Sequence, residues 1–281
     1  MVINTNVEAQ RTASNLMDSQ KAMARSLARL SSGSKIITAS DDAAGLAVSS
    51  RLESQLRRID AVIDNLGNAM SLSQTQDGYL KNIGDAFTRM SELAMMAQDN
   101  TKADDDRKLY DEEFKQLIAY VTSSLGKNFN GVPLFDTTGT AAGIDITIDE
   151  DGNTFTINPI DVTVAAYSDA LTHLPNSGAG PYFNLETATN AKAALTTVTA
   201  ALKQFHLDRA GMGAIQTRIE FTMRQLTDSK QNLSEARSRI TDVDIAEETT
   251  EFASKQILVQ AGTSMLREAN NLPRTALELL R

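Results

Sequence analysis

From Val198 onward one heptad phase is apolar at every step: Val198, Phe205, Met212, Ile219, Leu226, Leu233 and Ile240. A run of that length predicts an unbroken helical seam. The companion phase is weaker, with Ala201, Asp208, Ile215, Thr222, Ser229 and Ala236. That points to one helix of a bundle and not to a two-stranded zipper. The first half mirrors it with Leu52, Ile59, Leu66, Leu80, Phe87 and Ala94, where Ser73 alone breaks the series, and Leu56, Ile63 and Met70 widen the stripe. A helix over about 48–98 follows, roughly 75 Å long at 1.5 Å per residue. A third helix is predicted over about 104–128. Asp104, Asp105 and Asp106 suit its N-terminus, Leu109, Phe114, Leu117, Ile118 and Val121 form its stripe, and Gly126 and Gly131 end it.

Both chain ends carry similar patterns. Leu16, Met23 and Leu30 recur in sevens near the start. Ile245, Phe252, Val259 and Leu266 do so near the end, with Leu258, Met265 and Leu272 beside them. Chain termini usually fray, and isolated helices are marginal in water. Such apolar faces must pair with each other or with further copies, and the ends are expected to order only on association.

The middle is different. Of five prolines, Pro133, Pro159, Pro175 and Pro181 all lie between 133 and 181, and proline costs about 3 kcal/mol inside a helix. Ile144–Ile148 and Thr154–Ile157 alternate with period two around Asp149-Glu150-Asp151-Gly152-Asn153, which predicts a β-hairpin. As a calcium loop the same stretch would put Thr147 and Asn158 where Asp and Glu are required, so it reads as a turn. The fold class is therefore mainly α: a long coiled-coil-like helical rod with a short β-hairpin segment in the middle.

Composition narrows the chemistry. The 281 residues carry a net charge of −9 and no Cys. The acidic balance argues against nucleic acid, which requires a basic face, and thiol chemistry and Cys-based metal sites are excluded. His173 and His206 have neither a nucleophile nor ligand spacing nearby, and no glycine-rich phosphate loop follows a strand. No catalytic, cofactor or metal site is expected. No apolar run approaches the length of a membrane span, and the N-terminus lacks the basic and apolar regions of a cleaved signal peptide.

Several strings, in order and at both ends, carry a resemblance that covers nearly the whole chain. Val2-Ile3-Asn4-Thr5-Asn6, Arg29-Leu30-Ser31-Ser32-Gly33, Asp41-Asp42-Ala43-Ala44-Gly45 and Phe129-Asn130-Gly131 resemble the N-terminal signature of bacterial flagellins. Ser238–Asp244, Gln256–Leu266, Ala269-Asn270 and the closing Leu279-Leu280-Arg281 are similar to the C-terminal one. The resemblance implies an extracellular helical filament of many copies, exported through a type III channel. Residues 1–42 and 242–281 would form an inner-core coiled-coil domain. Residues 43–241 would form an outer-core helical bundle with a β segment at about 133–184. Polymerisation contacts are expected at Leu16, Met23, Leu27, Leu30, Ile245, Phe252, Leu258, Val259, Met265 and Leu266. Beyond itself, the implied partners are the flagellar export apparatus, a secretion chaperone, hook-junction and cap proteins. By similarity of Arg89-Met90-Ser91-Glu92-Leu93-Ala94 to a host-recognised motif, a vertebrate Toll-like receptor would contact Arg89, Leu93 and Glu113, with Arg89 and Leu93 on one helical face. Two other readings stay open at this point: a hook–filament junction relative, and a cytoplasmic coiled-coil adaptor whose ends would already be ordered in the free protein.

Overall fold

The computed structural model describes residues 6–140, 142–171 and 184–278, with side chains as far as 271. Val2 to Thr5, His173, Pro175, Pro181, the Leu272 side chain and the closing Leu279-Leu280-Arg281 lie outside the described residues. The helices are α1 (Val7–Ser32), α2 (Ala43–Gln98), α3 (Asp104–Leu125), α4 (Ala165–Leu171), α5 (Ala188–Thr241) and α6 (Ile245–Glu278). Among the described residues, six short strands lie between α3 and α4: β1 (Asn128–Phe129), β2 (Val132–Pro133), β3 (Phe135–Asp136), β4 (Ile144–Thr147), β5 (Thr154–Ile157) and β6 (Ile160–Asp161). The protein is mainly α-helical, as its periodicity predicts.

The chain divides into two compact units, residues 1–57 with 230–281 and residues 58–229. The division falls inside α2 and α5, not at the connectors near 42 and 242 where the sequence reading places its domain boundary. Neither helix carries a proline, so nothing breaks the backbone there.

The unit of residues 58–229 holds the larger core. Along α2 the buried positions alternate by three and four: Ile59, Val62, Leu66, Ala69, Ser73, Gln76, Leu80, Ile83, Phe87, Met90, Ala94 and Ala97. From Leu72 onward that face packs with Phe114, Ile118, Val121 and Leu125 of α3 and with Val198, Ala201, Phe205 and Met212 of α5. Gly84 marks a close approach, because a Cβ there would lie 2.5 Å from the Phe205 ring. At the end of α2 the buried Arg107 donates from Nε to Ala97 O (3.0 Å) and from Nη2 to Asp99 O (3.0 Å). The Ala97 carbonyl lies in the last turn of α2, where no intrahelical donor follows, and Asp99 O also accepts from Lys102 N at 3.2 Å.

The middle segment is pinned to these helices. α3 stops at Leu125, short of 128, because β1 pairs antiparallel with β2 about Asn130 and Gly131 at φ 49 and 83. Positive φ at both central residues is the mirror-image turn that Asn-Gly favours. β4 and β5 form the predicted hairpin, with Ile144 opposite Ile157 and Thr147 opposite Thr154. Asp149 closes its turn by accepting from the backbone N–H groups of Asp151 and Asn153. Those bonds, with the Asn153 side-chain amide first among them, hold its carboxyl below the usual range. β3 runs parallel to β6, with Phe135 opposite Ile160. Gln76 donates to Leu134 O at 2.6 Å within the core, Arg218 stacks over Phe155 at 4.2 Å, and buried Asp111 accepts from Leu185 N at 2.8 Å.

Candidate functional site

In the unit containing both chain ends, α1 packs antiparallel on α6. Asn6 caps α1 by accepting from Ala9 N at 3.1 Å, and its Nδ2 donates to Ala269 O at 2.7 Å. At the other end Gly33, in the left-handed region at φ 69, closes α1. The two connectors meet there, through Lys35 N to Thr241 O (2.6 Å), Val243 N to Gly33 O (3.1 Å) and a bridge between Ser34 and Asp242. Asp244 then starts α6 by accepting from Ala246 N at 2.9 Å. Asp41 accepts from Thr38 N and Ile37 N. The Thr38 bond above all holds its carboxyl below the ordinary value.

The seam between the helices is a regular heptad. Ala9, Thr12, Leu16, Ser19, Met23, Ser26 and Leu30 face it from α1, and Glu248, Phe252, Lys255, Val259, Gly262, Leu266 and Ala269 from α6. Gly262 allows the close approach, since a Cβ there would lie 3.1 Å from Leu16 Cδ1. None of the large apolar seam residues is fully buried: Leu16, Met23, Leu30, Phe252, Val259 and Leu266 are all half-buried.

The residues singled out from the sequence therefore separate into two sets. Leu16, Met23, Leu30, Phe252, Val259 and Leu266 line the seam. Leu27, Ile245, Leu258 and Met265 are exposed, Met265 by 65%. Ile245 shares the seven-residue phase of Phe252 but sits opposite the last residues of α1, where no further turn covers it. Leu258 and Met265 lie one position before seam residues and turn outward. Val7, Met17 and Ile257, which are not among the expected polymerisation contacts, join them as exposed apolar side chains. A groove of about 490 Å³ runs beside the seam, lined by Leu16, Leu258, Gly262 and Met265 with Glu8 and Glu268 at its polar margin.

In the unit of residues 58–229, Arg89 Nε donates to Glu113 at 2.8 Å and Nη1 to Glu92 at 3.0 Å. These bonds, the one to Glu113 foremost, raise the guanidinium pKa above its usual value. Arg89 and Glu113 are both about half exposed, but Leu93 is fully buried in the core. The expectation that Arg89 and Leu93 share one outward face is corrected accordingly. Leu93 stands one position before Ala94 on the wide buried face of α2, inside the core cluster.

Residues 3–140 match the family model described as bacterial flagellin N-terminal helical region, and residues 195–280 match the bacterial flagellin C-terminal helical region. The chain is 33% identical to a flagellin of Halalkalibacterium halodurans over 282 residues, covering 100% of both chains. It is also 33% identical to the flagellin of Bacillus subtilis over 308 residues, again covering 100% of both. A solved structure described as a flagellar hook-associated protein from Vibrio parahaemolyticus superposes with a TM-score of 0.62 at 14% identity, over 72% of this chain and 100% of that one. This last likeness concerns the fold alone.

Proposed function

The chain belongs to the bacterial flagellin family, structural subunits that self-assemble into the extracellular flagellar filament, and we propose that it polymerises through the outward apolar faces of α1 and α6. The observation that carries this is the set of exposed apolar residues Leu27, Ile245, Leu258 and Met265, on two helices whose shared seam buries no large apolar side chain completely. Burying a leucine or methionine contributes about 1.5–3 kcal/mol, so further copies supply what the helix pair lacks. Ends that hold so little core are unfolded at small cost. That suits export as an extended chain through the flagellar export apparatus without a cleaved signal peptide, with a secretion chaperone covering the apolar faces until assembly. The hook-junction and cap proteins would meet the same end helices at the two ends of the growing polymer. The receptor reading reduces to Arg89 and Glu113, which offer a half-exposed polar pair without Leu93.

The test is seeded assembly. Purified chain is mixed with short filament fragments, and growth is followed by light scattering and negative-stain microscopy. A chain trimmed to residues 45–240 serves as control. Long filaments from the intact chain alone are expected. An intact chain that stays monomeric, with protease-resistant helical ends, would overturn the proposal in favour of the adaptor reading.

A further inference from the structure

The α1–α6 seam is repetitive. Phe252, Val259 and Leu266 are spaced by sevens, as are Gly262 and Ala269, and Leu16, Met23 and Leu30 repeat alike on α1. Sliding one helix by a heptad, about 10 Å, brings apolar residues opposite apolar residues again and small opposite large. Apolar packing by itself therefore discriminates poorly between the native register and its neighbour.

Two seam positions on α6 carry charge, Glu248 and Lys255. Glu248, 6% exposed, is buried in the seam, as is Ser26 on α1 at 5%. Glu248 Oε2 lies 3.6 Å from Arg29 Nη1. The pair is only partly satisfied, since Glu248 Oε1 and Arg29 Nε are buried without hydrogen-bond partners. An ion pair so placed adds little stability, because desolvation offsets the attraction. Seven residues along the same phase of α6 stands Lys255. In the register slipped toward the α6 C-terminus, Arg29 would meet a cation and Glu248 would lose its partner. A slip the other way would bring Arg29 opposite Thr241, beyond the start of α6.

We propose that the Arg29–Glu248 pair fixes the heptad register of the two chain ends, excluding the slipped alignment through the Arg29–Lys255 clash. A polar or charged seam residue setting register at the expense of stability is a known use of buried polarity in paired helices. The three contacts between the connectors, at Gly33–Val243, Lys35–Thr241 and Ser34–Asp242, are the rival source of register. They join partly exposed segments chiefly through backbone groups, with Ser34 Oγ also donating to Thr241 O at 3.1 Å, and a backbone acceptor does not distinguish one heptad from the next by chemistry. The inference concerns pairing within one chain and stands whether or not the outer faces polymerise.

The Cys-free sequence makes register directly readable. A Cβ at Gly262 would lie 3.6 Å from Leu16 Cβ, inside the range a disulfide spans. In the full chain, Leu16→Cys with Gly262→Cys reports the native register, and Leu16→Cys with Ala269→Cys the slipped one. Each is oxidised with diamide, as monomer and as filament. In the parent background the 16–262 product is expected to dominate, and to be the sole product in the filament, where the ends are ordered. With Arg29→Met and Glu248→Met added, which keeps the side-chain stems and removes both charges, the 16–269 product should rise roughly tenfold or more while cross-linking in total persists. The swap Arg29→Glu with Glu248→Arg is a second route to the same end. It restores attraction in the native register, and in the slipped one it sets the carboxylate introduced on α1 opposite Lys255, so it too should yield both products. An unchanged predominance of the 16–262 product in the Met variant would show that the connectors hold register alone. Loss of both products would show that the pair supplies stability and not register. Either result overturns the proposal, and it does so without reference to filament growth.

Discussion

Gly84 and Gly67 occupy the same helix but opposite situations. A methyl group on Gly84 would press into the Phe205 ring at 2.5 Å, whereas one on Gly67 meets nothing within 4 Å. Gly84→Ala should therefore destabilise the unit of residues 58–229 by about 1–3 kcal/mol through overpacking. Gly67→Ala should stabilise it by up to about 1 kcal/mol, because alanine is the better helix former. Urea unfolding of the two variants checks both signs. Tyr167 gives a second prediction. It is buried, stacks against Phe87, and donates to Asp208 Oδ2 at 2.6 Å. Burial first, then Asp208, raises its pKa above the ordinary 10.0. A phenol with a raised folded pKa contributes stability that is complete below the unfolded pKa and lost as pH rises beyond it. Stability should accordingly decline above pH 10.0. Tyr167→Phe should cost about 0.5–1.5 kcal/mol at neutral pH and flatten that alkaline decline in pH-dependent melting. Ser73 and Gln76 show where sequence reading fails at this scale. Both stand in the buried seam of α2, but a search for apolar repeats passes over polar residues. Ser73 therefore reads as an interruption, when its position is as buried as its neighbours.

At the scale of the element, periodicity locates the long helices because their seams repeat over many turns. One phase of α2 is legible in Ile59, Leu66, Leu80, Phe87 and Ala94. Its partner phase holds Ala69, Gln76 and Ala97 among Val62, Ile83 and Met90, and small or polar residues hide it. The two-residue strands are not legible at all. β3 pairs with β6 across some two dozen intervening residues, and a pair that short leaves no alternation to read. α6 carries the prediction proper to this scale, since its faces have separate tasks. Phe252, Val259 and Leu266 face α1, while Leu258 and Met265 turn outward. Leu258→Gln and Met265→Gln should each raise the critical concentration for seeded assembly at least tenfold, given about 1.5–3 kcal/mol of burial forgone per side chain. Thermal melting of the 58–229 unit should be unchanged. A critical concentration equal to the parent's for both variants would mean that the outer face of α6 takes no part in assembly.

Over the whole molecule, the division of labour is readable from the ends but the boundary is not. The terminal heptads and family strings mark 1–42 and 242–281 as a partnered pair. The compact unit reaches further, to residue 57 and back to residue 230, because unbroken helices give the sequence no signal at the point where contacts change hands. The two units also differ in kind. One holds fully buried Phe87, Phe114, Leu93 and Ile118; the other joins α1 to α6 over half-buried side chains and leaves Leu27, Leu258 and Met265 in solvent. Local stability follows buried apolar contact, so the ends should be the least protected part of the free subunit and should gain protection on assembly. Amide hydrogen exchange on monomer and filament tests this most directly, with residues 80–97 of α2 as internal reference. Rapid exchange is expected through α1 and α6 in the monomer, slow exchange for both in the filament, and slow exchange of the reference in either state. Equal, strong protection of α1 and α6 in the free monomer would contradict it.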